Sequence, residues 1–375
     1  MRVTVNRDRG VAVVSTLVSL WREKSYPFDR AILPQELIPK EIRKDRYTLS
    51  VFYFYACLLM RGGIESETAF RQLFKIHSLF PHLFIPEQAQ LMDLDDLTEI
   101  VGTHIGWDKR AVATFWIENS KRLTRTWGGD PLSLFRNIST YDEAVEQICN
   151  KSRKGDRVLD DPRHAGFVGF QHKMTSMILY FYEWEGLLPE DIDYPPPVDF
   201  HHCRIFLGHR ILTTRGRKSP NLRYDTRITH PIRSFLSWYT ETHHVTTIEL
   251  ADALWLYSKL MCGEAPTNTI KEQKVGAINH QSVLPLPFEA HFKKEEWELT
   301  RTKETIRTCG VCPIRSTCHF SVPANPYFRS GVLRLTPRKD PGYVLTTPKS
   351  LRREDAPVTD HQILLFTDET SPRRR

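Results

Sequence analysis

Apolar residues recur three and four positions apart over most of the first two-thirds of the chain, between turns marked by glycine or proline, which predicts a mainly α protein with few strands. Leu49 to Met60 is apolar on nearly every face, as a buried central helix requires, and Arg61-Gly62-Gly63 stops it. Glu65 to Phe80 is amphipathic. Asp95 to Thr103 predicts a helix ending near Gly106, and Asp108 is placed to cap the next, which runs through Ala111, Phe115 and Leu123. Tyr141 to Cys149 and Met174 to Tyr182 add two more. Thr246-Thr-Ile-Glu249 is a capping box that opens a helix through Leu250, Leu254 and Tyr257 to Cys262. Val11 to Trp21 reads as a short apolar helix able to pack on the C-terminal helices. From about Pro323 the periodicity is lost, and the tail reads as extended and partly disordered, with strand-like runs only at Tyr343 to Thr346 and Gln362 to Phe366.

With 375 residues, 40% of them hydrophobic, the chain can bury a sizeable core and divides more naturally into two lobes than one. Its longest apolar stretches, Gly10 to Trp21 and Leu49 to Met60, are too short or too interrupted to span a bilayer, so no membrane segment is expected. The formal net charge of +7 favours a polyanionic partner, with nucleic acid the leading candidate. Arg204, Arg210, Arg215, Arg217, Lys218, Arg223, Arg227 and Arg233 face Asp225 alone across one stretch, a pattern that suits contact with phosphates. A solvated loop without a partner is the alternative there. His201, His202, His243 and His244 match no standard metal spacing, and packing or helix-end hydrogen bonding suits them better.

The cysteines carry more specific chemistry. Cys309-Gly-Val-Cys312-Pro-Ile-Arg-Ser-Thr-Cys318 forms a tight set, and Cys262 precedes it at a helix end; four thiolates are what a [4Fe-4S] cluster needs. Structural zinc usually takes two Cys-x2-Cys knuckles, and only one is present. The odd count of seven argues against a disulfide framework, and Cys57, Cys149 and Cys203 lie in apolar surroundings where buried thiols are ordinary. No signal peptide opens the sequence, so an intracellular, reduced setting is expected, cytoplasmic and nucleoid-associated if bacterial.

Gly169-Phe-Gln-His-Lys173 is a glycine turn leading into a helix, and a Pro-rich loop then delivers Val198-Asp199-Phe200-His201. With the cysteines last, this order resembles the endonuclease III branch of the helix-hairpin-helix DNA glycosylases. Leu97 to Ala111 is similar to the helix, Ile-Gly turn and Lys-Ala helix that precede the hairpin there, and the resemblance covers roughly residues 45 to 320. It implies a two-lobed fold with a six-helix barrel lobe and an iron–sulfur cluster lobe. The expected divisions are an N-terminal segment at 1–45 packing on the cluster lobe, the six-helix lobe at 46–195 with its hairpin near 166–173, the catalytic and cluster lobe at 196–322, and the tail at 323–375.

The same resemblance implies double-stranded DNA as partner, a monomer, and hydrolysis of an N-glycosidic bond. Asp199 would stabilise the oxocarbenium-like sugar, although an Asp at that place also caps the following helix. Lys173 matches the amine that forms a Schiff base in bifunctional members; a lysine contacting phosphate or solvent is the alternative. Backbone amides from Gly166 and Gly169 to Gln171 and His172 would dock a phosphate, with Arg204, Arg210, Arg217 and Lys218 adding charge. Cys262, Cys309, Cys312 and Cys318 would hold the cluster, and Met60 and Arg61 occupy the place of a wedge that fills the emptied base stack. The chain departs from the pattern in three ways: Gln171 replaces the hairpin's second glycine, the Lys173 to Asp199 segment is longer, and a large insertion separates Cys262 from Cys309. The excised base therefore stays open among damaged pyrimidines, mismatched bases and hypermodified ones such as glucosylated hydroxymethylcytosine in phage DNA. A non-catalytic iron–sulfur scaffold that binds nucleic acid is the competing reading.

Overall fold

The structure is a computed structural model that describes residues 2–29, 31–60, 64, 66–106, 108–150, 166–189, 191–215, 226–263, 312–314, 317, 335–337 and 343–345. It is mainly helical. Along the chain run β1 (Arg2–Val5), α1 (Arg7–Arg22), α2 (Lys40–Arg43), α3 (Arg46–Leu59), α4 (Ser66–Leu79), α5 (Pro86–Ala89), α6 (Leu94–His104) and α7 (Lys109–Trp127). Then follow α8 (Tyr141–Ile148), α9 (His172–Trp184), α10 (Phe200–Gly208), β2 (Leu212–Arg215), α11 (Thr226–His243), α12 (Thr247–Tyr257), a π-helical turn (Ser258–Gly263), β3 (Leu335–Pro337) and β4 (Tyr343–Leu345). The residues form two compact units, one comprising 32–197 and the other 1–31 with 198–375. No helix among the described residues is long and apolar enough to cross a membrane.

In the 32–197 unit, α3 is the axis. Every residue from Leu49 to Leu59 is buried, because aromatic side chains meet it from all sides. Phe52 stacks on Phe74 at 4.9 Å and on Phe84 at 5.9 Å, Tyr53 stacks on Phe181 at 4.6 Å, and Tyr55 stacks on Trp116 at 4.4 Å. Each such ring contributes about 1.5–3 kcal/mol of burial, so this layer of rings is a large share of the unit's core. Two of its buried phenols are paired: Tyr55 with Ser120 at 2.7 Å, and Tyr182, which donates to Ser50 O at 2.8 Å. Glu185 accepts from Tyr53 at 2.6 Å and from Arg43 at 2.9 Å, which ties the segment before α3 to the end of α9. Burial, with the Glu185 carboxylate next to it, pushes the Tyr53 phenol well above its ordinary pKa, so the phenol stays a neutral donor.

Asp108 does not act as the side-chain cap expected of it. Its backbone is left-handed (φ 43°), and no cap bond forms, since a capping carboxylate reaches the first-turn amides from an extended backbone. Thr140 and Glu143 do form a reciprocal capping box at α8, as do Thr246 and Glu249 at α12.

In the other unit, α1 packs along α12 and the 2-stranded antiparallel sheet β1–β2 joins the chain's start to the strand after α10. Arg2 pairs with Arg215 in its register, and the Asn6 amide continues the contact to Ile211 O at 2.8 Å. Val13, Val14, Leu17 and Val18 of α1 share the core with Phe206, Phe235, Leu250 and Leu254. Arg22 clamps Glu249 through Nε at 2.8 Å and Nη2 at 2.9 Å. In the tail, β3 and β4 pair antiparallel, while Gln362 to Phe366 lies outside the described residues.

Candidate active site

The glycine turn and α9 form one candidate site in the 32–197 unit. Gly166 has φ 63° and Gly169 φ 85°, a left-handed region that glycine enters without steric cost. A Cβ at Gly166 would lie 2.0 Å from Cys149 O, so glycine is required there on two counts. The turn is clamped from α7 and α8. Asn119 binds both backbone groups of Val168, Arg122 donates to Gly166 O at 2.6 Å, and the Phe167 amide donates to Ile148 O at 2.9 Å. Phe167 and Phe170 pack on Phe54 of α3 at 5.0 and 5.3 Å, which anchors the turn in the aromatic core. Gln171, at the N-cap of α9, makes no side-chain cap bond; its amide donates instead to Asn150 O at 3.1 Å. The first-turn amides of α9 thus sit at the end of a rigidly held turn, with the positive end of a 13-residue helix behind them.

Lys173 lies in that first turn. Its Nζ donates to Met60 O at 3.0 Å, the carbonyl that closes α3, and its charge also faces Cys57. A cation at a helix C-terminus is a stabilising arrangement in its own right. Met60 has only 6% of its surface exposed, so its side chain belongs to the core and is not presented as a wedge. Arg61 lies outside the described residues.

Asp199 belongs to the other unit, at the start of α10. Its Oδ1 accepts from the His201 amide at 2.8 Å and lies 3.1 Å from His202 Nδ1, and its side chain is 12% exposed. The carboxylate is therefore held by the helix it opens, with its orientation set by two contacts on one oxygen. His201 Nδ1 meets Ser258 Oγ at 3.0 Å, and the His201 ring packs edge-on against Trp255 at 6.0 Å, so α12 and the π-helical turn back this corner. Local π geometry often marks functional positions. The thiol of Cys203, next along α10, is pushed up by burial and by the Asp199 charge, which leaves it an inert core group.

The basic run divides. Arg204 lies on α10, Arg210 is half-buried in a left-handed turn (φ 52°), Arg215 is on β2 and Arg227 is exposed at the start of α11. Arg217, Lys218 and Arg223 lie outside the described residues. Arg233 does not join this surface: it is 8% exposed, on the inward side of α11 near Cys203. The four histidines make packing and hydrogen-bond contacts or lie exposed; His243 stacks on Tyr239 at 4.2 Å, and no metal-binding group of three occurs among the described residues.

Of the cysteine set, Cys262 sits on the π-helical turn, and Cys312 Sγ lies 2.9 Å from Tyr257 Oη at the end of α12, the helix that runs into that turn. Cys309 and Cys318 lie outside the described residues. The Cys312 thiol is thus drawn to the helix end that runs into the turn carrying Cys262, and a phenol hydroxyl beside Cys312 suits a thiolate ligand, which accepts hydrogen bonds. Cys57, Cys149 and Cys203 are buried in the two cores.

The structure therefore brings Gly166, Gly169, Gln171, His172 and Lys173 onto one turn–helix junction, and places Asp199, Arg204, Arg210, Cys262 and Cys312 in the other unit. The clamps on the turn, Asn119 and Arg122, carried no signal in the chain, because a polar residue inside an amphipathic helix looks solvent-facing until its long-range partner is known. Arg2 joined Arg215 only through strand pairing. No protein-family model matches the chain, and no curated protein matches it.

Proposed function

We propose that the protein is a DNA N-glycosylase that extrudes a modified base from duplex DNA and hydrolyses its bond to deoxyribose. The observation that carries this is the clamped Gly166–Gln171 turn feeding the α9 N-terminus, whose amides suit a phosphate oxygen and read no sequence. Asp199 supplies the chemistry. As the base leaves with the bonding electrons, positive charge builds on the sugar; the carboxylate stabilises it and orients a water whose oxygen bonds to the anomeric carbon. The water's proton passes to Asp199 or solvent, and the product is an abasic site. A hypermodified pyrimidine such as glucosylated hydroxymethylcytosine is one substrate class this reading admits.

Cys262, Cys309, Cys312 and Cys318 would hold a [4Fe-4S] cluster, which would serve as a structural tie for the segment after α12. The reaction ends at hydrolysis. Lys173 Nζ donates a hydrogen bond to Met60 O, so attack on the sugar would have to release that contact and present the lone pair of a neutral amine. That engagement also favours the competing reading, in which Lys173 and Asp199 serve only as helix caps in a nucleic-acid-binding scaffold. Incubating the cluster-replete protein and its Asp199→Asn variant with duplexes carrying damaged pyrimidines, mismatches, uracil or glucosylated hydroxymethylcytosine separates the two. Asp199-dependent base release supports the enzyme, and binding without release from any substrate supports the scaffold.

A further inference from the structure

We infer that His202 is a positioning residue for the reaction, holding the Asp199 carboxylate through an Nδ1–H bond, an inference that rests on the glycosylase reading. His202 is 1% exposed, and its Nδ1 lies 3.1 Å from Asp199 Oδ1. The same nitrogen lies 3.4 Å from the Asp199 amide, and the two contacts make opposite demands. A bond from the amide needs a bare Nδ1, which would set its lone pair against the carboxylate oxygen 3.1 Å away. A bond to the carboxylate needs a proton on Nδ1. The second contact is shorter and charge-assisted, and it wins.

The far side of the ring gives the same answer. His202 Nε2 is buried and has no hydrogen-bond partner among the described residues. A proton on Nε2 would be a buried donor without an acceptor, and orphaned buried donors are rarer than under-satisfied acceptors. The neutral Nδ1–H tautomer leaves only a lone pair at Nε2. It also directs the ring's one donor at Oδ1, which already takes the His201 amide at 2.8 Å. Two donors on one oxygen fix the plane of the carboxylate. A simple N-terminal cap requires only the amide bond, so the buried imidazole is an addition that capping does not explain.

The test combines spectroscopy with kinetics on the full, cluster-replete protein. In a histidine-¹⁵N-labelled sample, the expected His202 ring signal is a neutral tautomer protonated at Nδ1, and Asp199→Asn shifts that proton. A ring protonated at Nε2 with a bare Nδ1 overturns the inference whatever the activity. In single-turnover base release, His202→Leu is expected to slow the chemical step about 10- to 100-fold, the usual cost of losing a group that orients a reacting residue, with DNA affinity unchanged. His202→Asn places an amide donor where Nδ1 stood and is expected to restore the rate to within a few-fold, an outcome that a purely space-filling role would not produce. Equal rates for wild type and His202→Leu overturn the His202 assignment while leaving the glycosylase reading intact. No Asp199-dependent release from any substrate overturns both.

Discussion

Asn119 clasps Val168 with both ends of its carboxamide: Nδ2 donates to Val168 O at 2.9 Å, and Oδ1 accepts the Val168 amide at 2.7 Å. A side chain buried in α7 thereby does for the glycine turn what a neighbouring strand would do, satisfying a backbone donor and acceptor that the turn's geometry leaves unpaired. The path of the turn into α9 depends on this long-range contact.

Asn119→Leu is therefore expected to destabilise the protein by about 2 kcal/mol, the cost of two part-buried backbone groups losing their partners. Urea unfolding measures the loss. On the proposed docking of a phosphate at this turn, DNA affinity should fall for all sequences alike.

Gly166 and Gly128 share a left-handed φ, 63° and 60°, and differ in their surroundings. A Cβ at Gly128 meets nothing within 4 Å, whereas one at Gly166 collides with Cys149 O at 2.0 Å. Gly128→Ala should cost about 1 kcal/mol from backbone strain alone, and Gly166→Ala clearly more, with the turn displaced. Thermal melts of the two variants, compared directly, check the ordering.

Lys173→Gln keeps a donor for Met60 O and removes the amine. Base release and DNA binding should stay within a few-fold of wild type, and borohydride should trap no covalent DNA adduct with either protein. A trapped adduct with wild type alone would assign Lys173 the lyase role.

Arg22 holds the Glu249 carboxyl at a pKa of about 2, below its ordinary 4.5, chiefly by hydrogen bonding. Because the folded value is depressed, the pair's stabilisation is fully present above pH 4.5 and is lost as pH falls toward 2. Arg22 is about half exposed, so screening reduces the contribution to about 1 kcal/mol. Glu249→Gln should flatten the stability–pH curve across that window and lower stability near pH 7 by about 1 kcal/mol, where the pair's contribution is fully present.

On the proposed cluster, Cys312→Ser should lower the iron content of the purified protein and destabilise the unit that contains α12 while sparing the aromatic core around α3. Iron analysis and protease sensitivity of the two units read these separately. An iron-free wild type with unchanged stability would count against the cluster.

The helices were largely legible in the chain, because each buries a face large enough to impose its own period. The all-round apolar run at Leu49 to Met60 appears as α3 at Arg46–Leu59, and the capping box at Thr246 opens α12 as read. Asp108 was misleading, since its residue type suits a cap but its left-handed backbone does not allow one. β1 and β2 were invisible: four-residue strands have no period to detect, and each exists only because the other supplies its hydrogen-bond partners.

By itself the sequence determined the helical class, the glycine turn before α9, the aspartate before α10 and the spacing of three clustered cysteines, because these are local properties of adjacent residues. Only the tertiary structure decided that Asn119 and Arg122 clamp the turn, that Lys173 ends on Met60 O, that Arg233 turns inward and that His202 meets Asp199 from the buried side of α10. Whether a polar side chain reaches solvent, a carbonyl or a carboxylate is set by what the fold packs beside it, and the local pattern of residues carries no record of that neighbour.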